Sequence, residues 1–127
     1  MEMTMRFMVT IKSVENKFGP PPAALYQAIA EMGQEAAKAG VLVETGGLLP
    51  SSQGAVVRLS GGKMTVTDGP FSESKELVGG YAVYELSSKE EAIEWTKRFM
   101  AIHDEHWPEW EGETEIRQIM TFAPPEA

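Results

Sequence analysis

The chain has 127 residues, a length that favours one domain with a single core. Its 11 basic and 19 acidic side chains give a net charge of −8, which disfavours a surface for nucleic acid or anionic lipid. Cysteine is absent, so disulfides, thiolate metal sites and cysteine nucleophiles are excluded. The sequence has no apolar run long enough to span a membrane and no signal-peptide pattern at its start, so we expect a cytoplasmic protein.

The first half of the chain predicts a strand, a helix and a second extended segment. Apolar residues at every second position from Met3 to Ile11 indicate a half-buried strand. A helix is predicted over residues 21–39, because proline suits a first helical turn and Gly40 suits a C-terminal cap. An extended segment is predicted to begin at Val41.

The second half predicts a hairpin, a strand, a helix and a last strand. Gly61 and Gly62 separate two short apolar runs, as tight hairpin turns require. A strand is predicted over residues 77–86 and a helix over residues 88–103, which Ser88 begins as part of a capping box with Glu91. Pro108 ends this helix at or before the preceding residue, and a strand is predicted over residues 115–122. The apolar stripe of the second helix is predicted to contain Ala92, Trp95, Phe99 and Ile102.

This order of elements predicts an α+β fold over residues 1–127, with a ferredoxin-like antiparallel sheet and two helices on one face. The strand over residues 77–86 carries large apolar groups on both sides: Tyr81 and Val83 on one side, Tyr84 and Leu86 on the other. A second subunit would cover the face without helices. We therefore expect a two-fold homodimer.

The most distinctive motif is Asp68-Gly69-Pro70-Phe71, which a polar loop follows. Together with the segments at residues 39–42, 47–51, 90–95 and 115–118, it resembles the YCII-related family, specifically the branch named for its Asp-Gly-Pro-Phe motif. The resemblance covers most of the chain. It implies a dimeric α+β barrel and an active site built on a histidine and an aspartate.

In this resemblance the aspartate corresponds to Asp68. The family's histidine falls in the region after the first helix, where this sequence has Glu44, Thr45, Gly46 and Gly47 and no histidine. The chain therefore departs from the family's His/Asp pair. Many members of the branch are encoded beside sigma factors, which implies a regulatory role as an alternative to catalysis.

Asp68 and His103 are the candidate catalytic residues. Asp68 precedes a loop with Glu73 and Lys75, and a lysine near a carboxylate keeps it ionised and able to act as a base. The alternative is that Asp68 only fixes a turn through its side-chain oxygen. His103 is a candidate proton carrier, although a histidine near a helix C-terminus is also favoured by the helix dipole. His103 and His106 do not have the spacing of an established zinc site, so no metal site is predicted.

The candidate substrate-binding residues carry charged or aromatic groups. Trp107 could line a pocket or contact a second subunit, whereas the acidic residues around it are expected to form a solvated face. Arg117 could hold a substrate carboxylate or pair with Glu115 or Glu85. Glycine-rich phosphate loops are absent from the sequence, and no cofactor is implied. The predicted substrate-binding set is Glu73, Lys75, Tyr81, Trp107 and Arg117.

Two functional hypotheses follow. The first is a cofactor-independent enzyme that transfers protons on a small molecule in the barrel cleft, with Asp68 and His103 as the reacting groups. The second is a non-catalytic dimer that binds a small ligand or a regulatory protein such as a sigma factor. In the second case the acidic last third of the chain would face a basic partner.

Overall fold

The computed structural model describes residues 3–71 and 75–120. It contains six strands and two α-helices within those ranges. In chain order they are β1 (Met5–Val14), α1 (Ala23–Lys38), β2 (Leu42–Gly47), β3 (Ala55–Ser60), β4 (Lys63–Asp68), β5 (Glu76–Leu86), α2 (Lys89–His106) and β6 (Glu113–Gln118). A short 3₁₀ helix, Ser51–Gln53, precedes β3.

Four strands form one sheet in the order β2-β5-β1-β6, and all three neighbouring pairs are antiparallel. The connection through α1 joins β1 to β2, and the connection through α2 joins β5 to β6. Each connection passes over one intervening strand. This arrangement is an α+β, ferredoxin-like fold, as the sequence predicts.

Both helices pack on the same face of the sheet. Ala36 of α1 and Ala92 of α2 belong to one buried cluster with the large side chains of β1 and β5. Small residues at these two positions let the helices approach the sheet closely. The other members of the cluster are Phe7, Val9, Tyr84 and Leu86.

The predicted helix ends are close to the observed ones. Gly40 follows α1 with φ of 76°, as a C-terminal glycine does. Ser88 Oγ accepts the Glu91 N–H at 3.2 Å, but the Glu91 carboxylate bonds to the Ser87 hydroxyl, so only half of the predicted capping box forms. Because the backbone remains helical until Trp107 caps it, α2 ends three residues later than predicted.

The hairpin is separate from the main sheet. Among the described strands, β3 and β4 pair only with each other, across a turn in which Gly61 and Gly62 both have positive φ. We call this hairpin, β3 and β4, the ribbon. β2 extends through Gly47, and β6 begins at Glu113, two residues earlier than predicted. The predicted continuation of β6 over residues 121–122 lies outside the described residues.

A polar cluster fixes the base of the ribbon. The buried Ser51 donates from its N–H and its hydroxyl to the Glu15 carboxylate, at 2.8 and 2.6 Å, and the Phe71 N–H donates to Ser51 Oγ at 3.1 Å. The Gly69 N–H donates to the Gly54 carbonyl at 2.9 Å. A Cβ at Gly69 would lie 1.6 Å from the Ser51 carbonyl oxygen, so only glycine fits there. Gly69 and Phe71 of the Asp-Gly-Pro-Phe motif thus hold the ribbon against residues 51–54.

We predict that Glu15→Gln lowers the free energy of unfolding by about 1–3 kcal/mol, because the amide has one acceptor oxygen and no charge for the two Ser51 donors. Urea unfolding measures the change. The control is Glu31→Gln, an exposed position of α1 whose carboxylate accepts a 3.4 Å bond from Gln27. Equal effects of the two substitutions would contradict the role assigned to Glu15.

Candidate functional site

The helix-facing side chains of β5 become smaller towards one end of the sheet. Strand alternation gives Leu86, Tyr84, Ala82 and then Gly80 on this face. Gly80 pairs with Gly47 of β2, so at this end the sheet presents bare backbone to the helices. At the other end, side chains fill the same space. The helices therefore have little to pack against at the Gly80 end.

A cavity of about 490 Å³ occupies this space between the helices and the sheet. Its wall is predominantly apolar and aromatic, and among the described residues that line it none is Lys, Arg, Asp or Glu. Such a cavity has the size and character of a small-molecule site. The sheet contributes Val9, Ile11, Ser13, Leu42, Thr45, Gly46, Gly47, Gly79, Gly80, Tyr81, Ala82 and Tyr84; the helices and the segments beside them contribute Pro21, Leu25, Tyr26, Ile29, Met32, Gly33, Thr96, Phe99, His103, Trp107 and Trp110.

His103 is the titratable group with the clearest chemical role in this wall. It lies in the last turn of α2, is only 5% exposed, and packs between the rings of Phe99 and Trp110, each 4.7 Å away between centroids. Its Nδ1 is 2.9 Å from the Phe99 carbonyl oxygen. A carbonyl can only accept, so Nδ1 carries the proton and Nε2 keeps its lone pair.

The surroundings of His103 favour its neutral form. Burial lowers the pKa of His103 below its usual 6.5, and the hydrogen bond to Phe99 opposes this shift only in part. Every buried side-chain nitrogen or oxygen within the described ranges has a hydrogen-bond partner. Since the hydrogen bond of the His103 ring is at Nδ1 and the ring lines the cavity, Nε2 is the ring nitrogen left for a ligand.

A turn of two tryptophans covers His103. The Trp107 N–H caps α2 on the His103 carbonyl at 2.8 Å, and the Trp110 N–H donates to the Trp107 carbonyl at 3.0 Å. A Cβ at Gly112 would lie 2.3 Å from the Trp110 ring and 2.6 Å from the Lys12 carbonyl oxygen. The missing side chain at Gly112 therefore lets the Trp110 ring lie beside His103.

The predicted stripe of α2 is confirmed in part, since Ala92 is buried, Trp95 packs against the core cluster and Phe99 lines the cavity. The buried residues are Ala92, Thr96 and His103, whereas Trp95 is partly buried and stacks on Tyr84. The prediction selected the most apolar side chains of the helix. The cavity wall also includes two polar residues of α2, Thr96 and His103. Thr96, which donates to the Ala92 carbonyl at 2.7 Å, was missed for this reason.

The predicted site residues are divided between different surfaces. His103 and Trp107 both line the cavity. Tyr81 is also part of its wall, but its side chain lies on the sheet face opposite the helices, where the hydroxyl donates to the Glu44 carboxylate and the ring packs against Gly46. The hydrogen bond to Glu44 and burial raise the pKa of Tyr81 above its usual value.

Three other predicted residues do not line the cavity. Arg117 pairs with Met8 in the register, which places it on the face away from the helices, and its guanidinium is 3.8 Å from Glu115 as one alternative predicted. Asp68 ends β4 and is exposed, and Lys75 is exposed just before β5. Glu73 lies outside the described residues. The proposed pairing of Asp68 with His103 is not formed around the cavity of one chain.

Within residues 3–71 and 75–120, no group of three or more His, Asp or Glu side chains is arranged to hold a metal ion. In the same ranges, no helix is both long and apolar enough to cross a membrane.

The fold and the cavity define a small α+β protein with a ligand-sized site between its helices and sheet. A family model of the YCII-related domain matches residues 5–123, so the chain belongs to this family. An uncharacterised protein of Rhizobium meliloti (strain 1021) is 29% identical over 89 residues, which cover 70% of this chain and 68% of that protein.

We predict that His103 lowers stability in acid. The unfolded histidine binds a proton near pH 6.5, whereas the native pKa is lower, so acid favours the unfolded state until pH falls through the native value. The free energy of unfolding of the wild type minus that of His103→Phe, measured by urea unfolding, should therefore decrease from pH 7 to pH 5. A difference that stays constant or increases would contradict a neutral, buried His103.

Proposed function

We propose that the protein binds a small, uncharged molecule in the cavity, and that His103 Nε2 accepts a hydrogen bond from a hydroxyl or N–H group of this ligand. The observation that supports this proposal most strongly is the buried His103 ring in the wall of an apolar cavity, with Nδ1 2.9 Å from the Phe99 carbonyl oxygen and Nε2 left for a ligand. A polar acceptor in an apolar wall gives a ligand one fixed orientation.

The wall favours an uncharged ligand. A carboxylate or phosphate would lose its hydration in the cavity, and no lysine or arginine of residues 3–71 and 75–120 lines the wall to replace it. A cation would likewise find no carboxylate there. The ligand is therefore expected to be uncharged when bound, with a small number of polar atoms.

The shape favours a flat ligand. Gly47 and Gly80 leave bare backbone on one side, and the rings of Phe99, Trp110 and Tyr26 lie among the residues on the other side. A Cβ at Gly47 would meet no atom within 4 Å, so this position borders open space. A planar ring can approach bare strands and stack on aromatic side chains at the same time.

Acid/base catalysis is the second candidate, because a neutral imidazole is the form of histidine that accepts a proton. An imidazolium in this wall would have no carboxylate of the described ranges beside it, which makes full proton transfer from the ligand unfavourable. Catalysis would require a carboxylate beside the ring to stabilise the imidazolium, and a role for Asp68 would require a second chain to carry it to the cavity. Binding is therefore the function that one chain supports best.

The predicted homodimer and the predicted regulatory partner remain part of the proposal. The acidic side chains around Trp107, such as Asp104 and Glu109, are exposed, which suits a basic partner and suits solvation as well. The cavity therefore supports a more specific proposal, binding of a small molecule, than the acidic surface around Trp107 does.

The test uses three probes that share a naphthalene ring: 2-naphthol, 2-methoxynaphthalene and 2-naphthoate. We expect the wild type to bind 2-naphthol about three- to tenfold more tightly than the methyl ether, since one hydrogen bond contributes about 0.5–1.5 kcal/mol. His103→Phe should remove this preference, and 2-naphthoate should not bind. Isothermal titration calorimetry measures all three affinities.

Gly47→Leu should abolish binding of 2-naphthol by filling the cavity, whereas Val43→Leu, at an exposed position of the same strand, should not. Circular dichroism checks that both variants fold. Tight binding of 2-naphthoate, or unchanged binding by Gly47→Leu, would show that the ligand site is elsewhere.

A further inference from the structure

Gly33 lies in the interior of α1, with more than one helical turn on either side. Glycine is less favourable there than any residue except proline, because it loses the most backbone freedom when the helix forms. Gly33 has ordinary helical backbone, whereas Gly40, after the helix, has a φ of 76° that favours glycine. The conformation of the chain at position 33 therefore does not require glycine.

The packing of α1 does not require glycine at this position either. A Cβ at Gly33 would meet no atom within 4 Å apart from its chain neighbours and the backbone of its own helix. At Gly69 and Gly112, by contrast, a Cβ would lie 1.6 and 2.3 Å from another atom. An alanine at position 33 would thus favour the helix without disturbing any contact. What distinguishes Gly33 is the empty space beside it.

This empty space is the inner end of the cavity. Gly33 precedes Ala36 by about one helical turn, and Thr96 follows Ala92 by about one turn. Ala36 and Ala92 pack in the core cluster, whereas Gly33 and Thr96 line the cavity. Gly33 and Thr96 therefore lie where the core ends and the cavity begins.

His103 lies farther from the core along the same wall. It follows Thr96 by seven residues on α2, which corresponds to about 10 Å along the helix axis. Seven residues are close to two full turns, so the two side chains point to the same side of the helix. A ligand that is held by His103 and points towards the core thus has two helical turns of cavity to fill.

The inner end of the cavity is apolar. Thr96 uses its hydroxyl proton in a 2.7 Å hydrogen bond to the Ala92 carbonyl. The sheet contributes Val9 and Ala82, which pair with each other in the register. A ligand group that reaches Gly33 is therefore expected to be apolar.

We propose that Gly33 determines the length of the ligand. The apolar end of a planar, two-ring molecule lies against the bare helix backbone at Gly33, while its donor group bonds to His103. This inference rests on the proposed function, since it takes His103 as the residue that holds the ligand. A single ring with a hydroxyl group is too short to reach from His103 to Gly33, whereas two fused rings span most of the distance. The site therefore selects fused bicyclic molecules with a hydroxyl or N–H group at one end.

A larger residue at position 33 should change stability and binding in opposite directions. Gly33→Ala and Gly33→Leu introduce better helix formers, so both should raise the urea concentration at the midpoint of unfolding. Both should weaken binding of a two-ring ligand, and leucine more than alanine, because their side chains occupy the space of the second ring. A residue with only a structural role would not separate the two effects in this way.

The test compares 2-naphthol with phenol, which carries the same hydroxyl group on one ring. Titrations followed by NMR measure both affinities, including millimolar ones. For Gly33→Leu we expect the affinity for 2-naphthol to fall by about tenfold or more, and that for phenol to change by less than about threefold, since overpacking affects only the ligand that reaches position 33. The matched control is Ala30→Leu, which adds the same side chain at an exposed position of α1 and should leave both affinities unchanged.

Two results would overturn the role of Gly33 alone. One is a Gly33→Leu variant that binds 2-naphthol as tightly as the wild type, and the other is equal weakening of 2-naphthol and phenol. The proposed function would still stand in either case if the preference for 2-naphthol over 2-methoxynaphthalene depends on His103. A wild type that binds neither 2-naphthol nor phenol would overturn both proposals.

Discussion

The decrease in side-chain size along β5 determines where this protein can bind a ligand. Leu86 and Tyr84 fill the space under the helices at one end, whereas Ala82 and Gly80 leave it unfilled at the other. The helices cannot close the gap, because Ala36 and Ala92 already hold them against the sheet at the filled end. A single strand therefore supplies both the core and the floor of the cavity.

The chemistry of the cavity follows from the position of His103 on α2. Its Nδ1 is used by the Phe99 carbonyl, one turn earlier, so the tautomer is fixed by the helix itself. Packing against Phe99 and Trp110 removes water and disfavours the imidazolium. What remains is one acceptor nitrogen in an apolar wall. Such a nitrogen can accept a hydrogen bond from a donor group of a ligand, but its surroundings do not stabilise a positive charge on the ring.

Local patterns predicted the fold well. The alternation from Met3 to Ile11 predicted β1, the glycine pair predicted the ribbon turn, and Gly40 and Ser88 predicted helix ends. The cavity could not be predicted in this way, because its wall joins residues more than 80 positions apart, such as Ile11 and His103. Trp107 and His103 were predicted as site residues, and both line the cavity. Tyr81 was predicted with them, but its side chain lies on the opposite face of β5. Its hydroxyl binds Glu44 instead.

Whether His103 offers an acceptor nitrogen to a ligand can be read from the ¹⁵N chemical shifts of its two ring nitrogens, which report their protonation state at pH 7 by NMR. We expect a proton on Nδ1, none on Nε2, and a shift of the Nε2 resonance when 2-naphthol is added. An imidazolium ring, a proton on Nε2, or an Nε2 resonance that does not respond to 2-naphthol at a concentration that saturates the protein would contradict it.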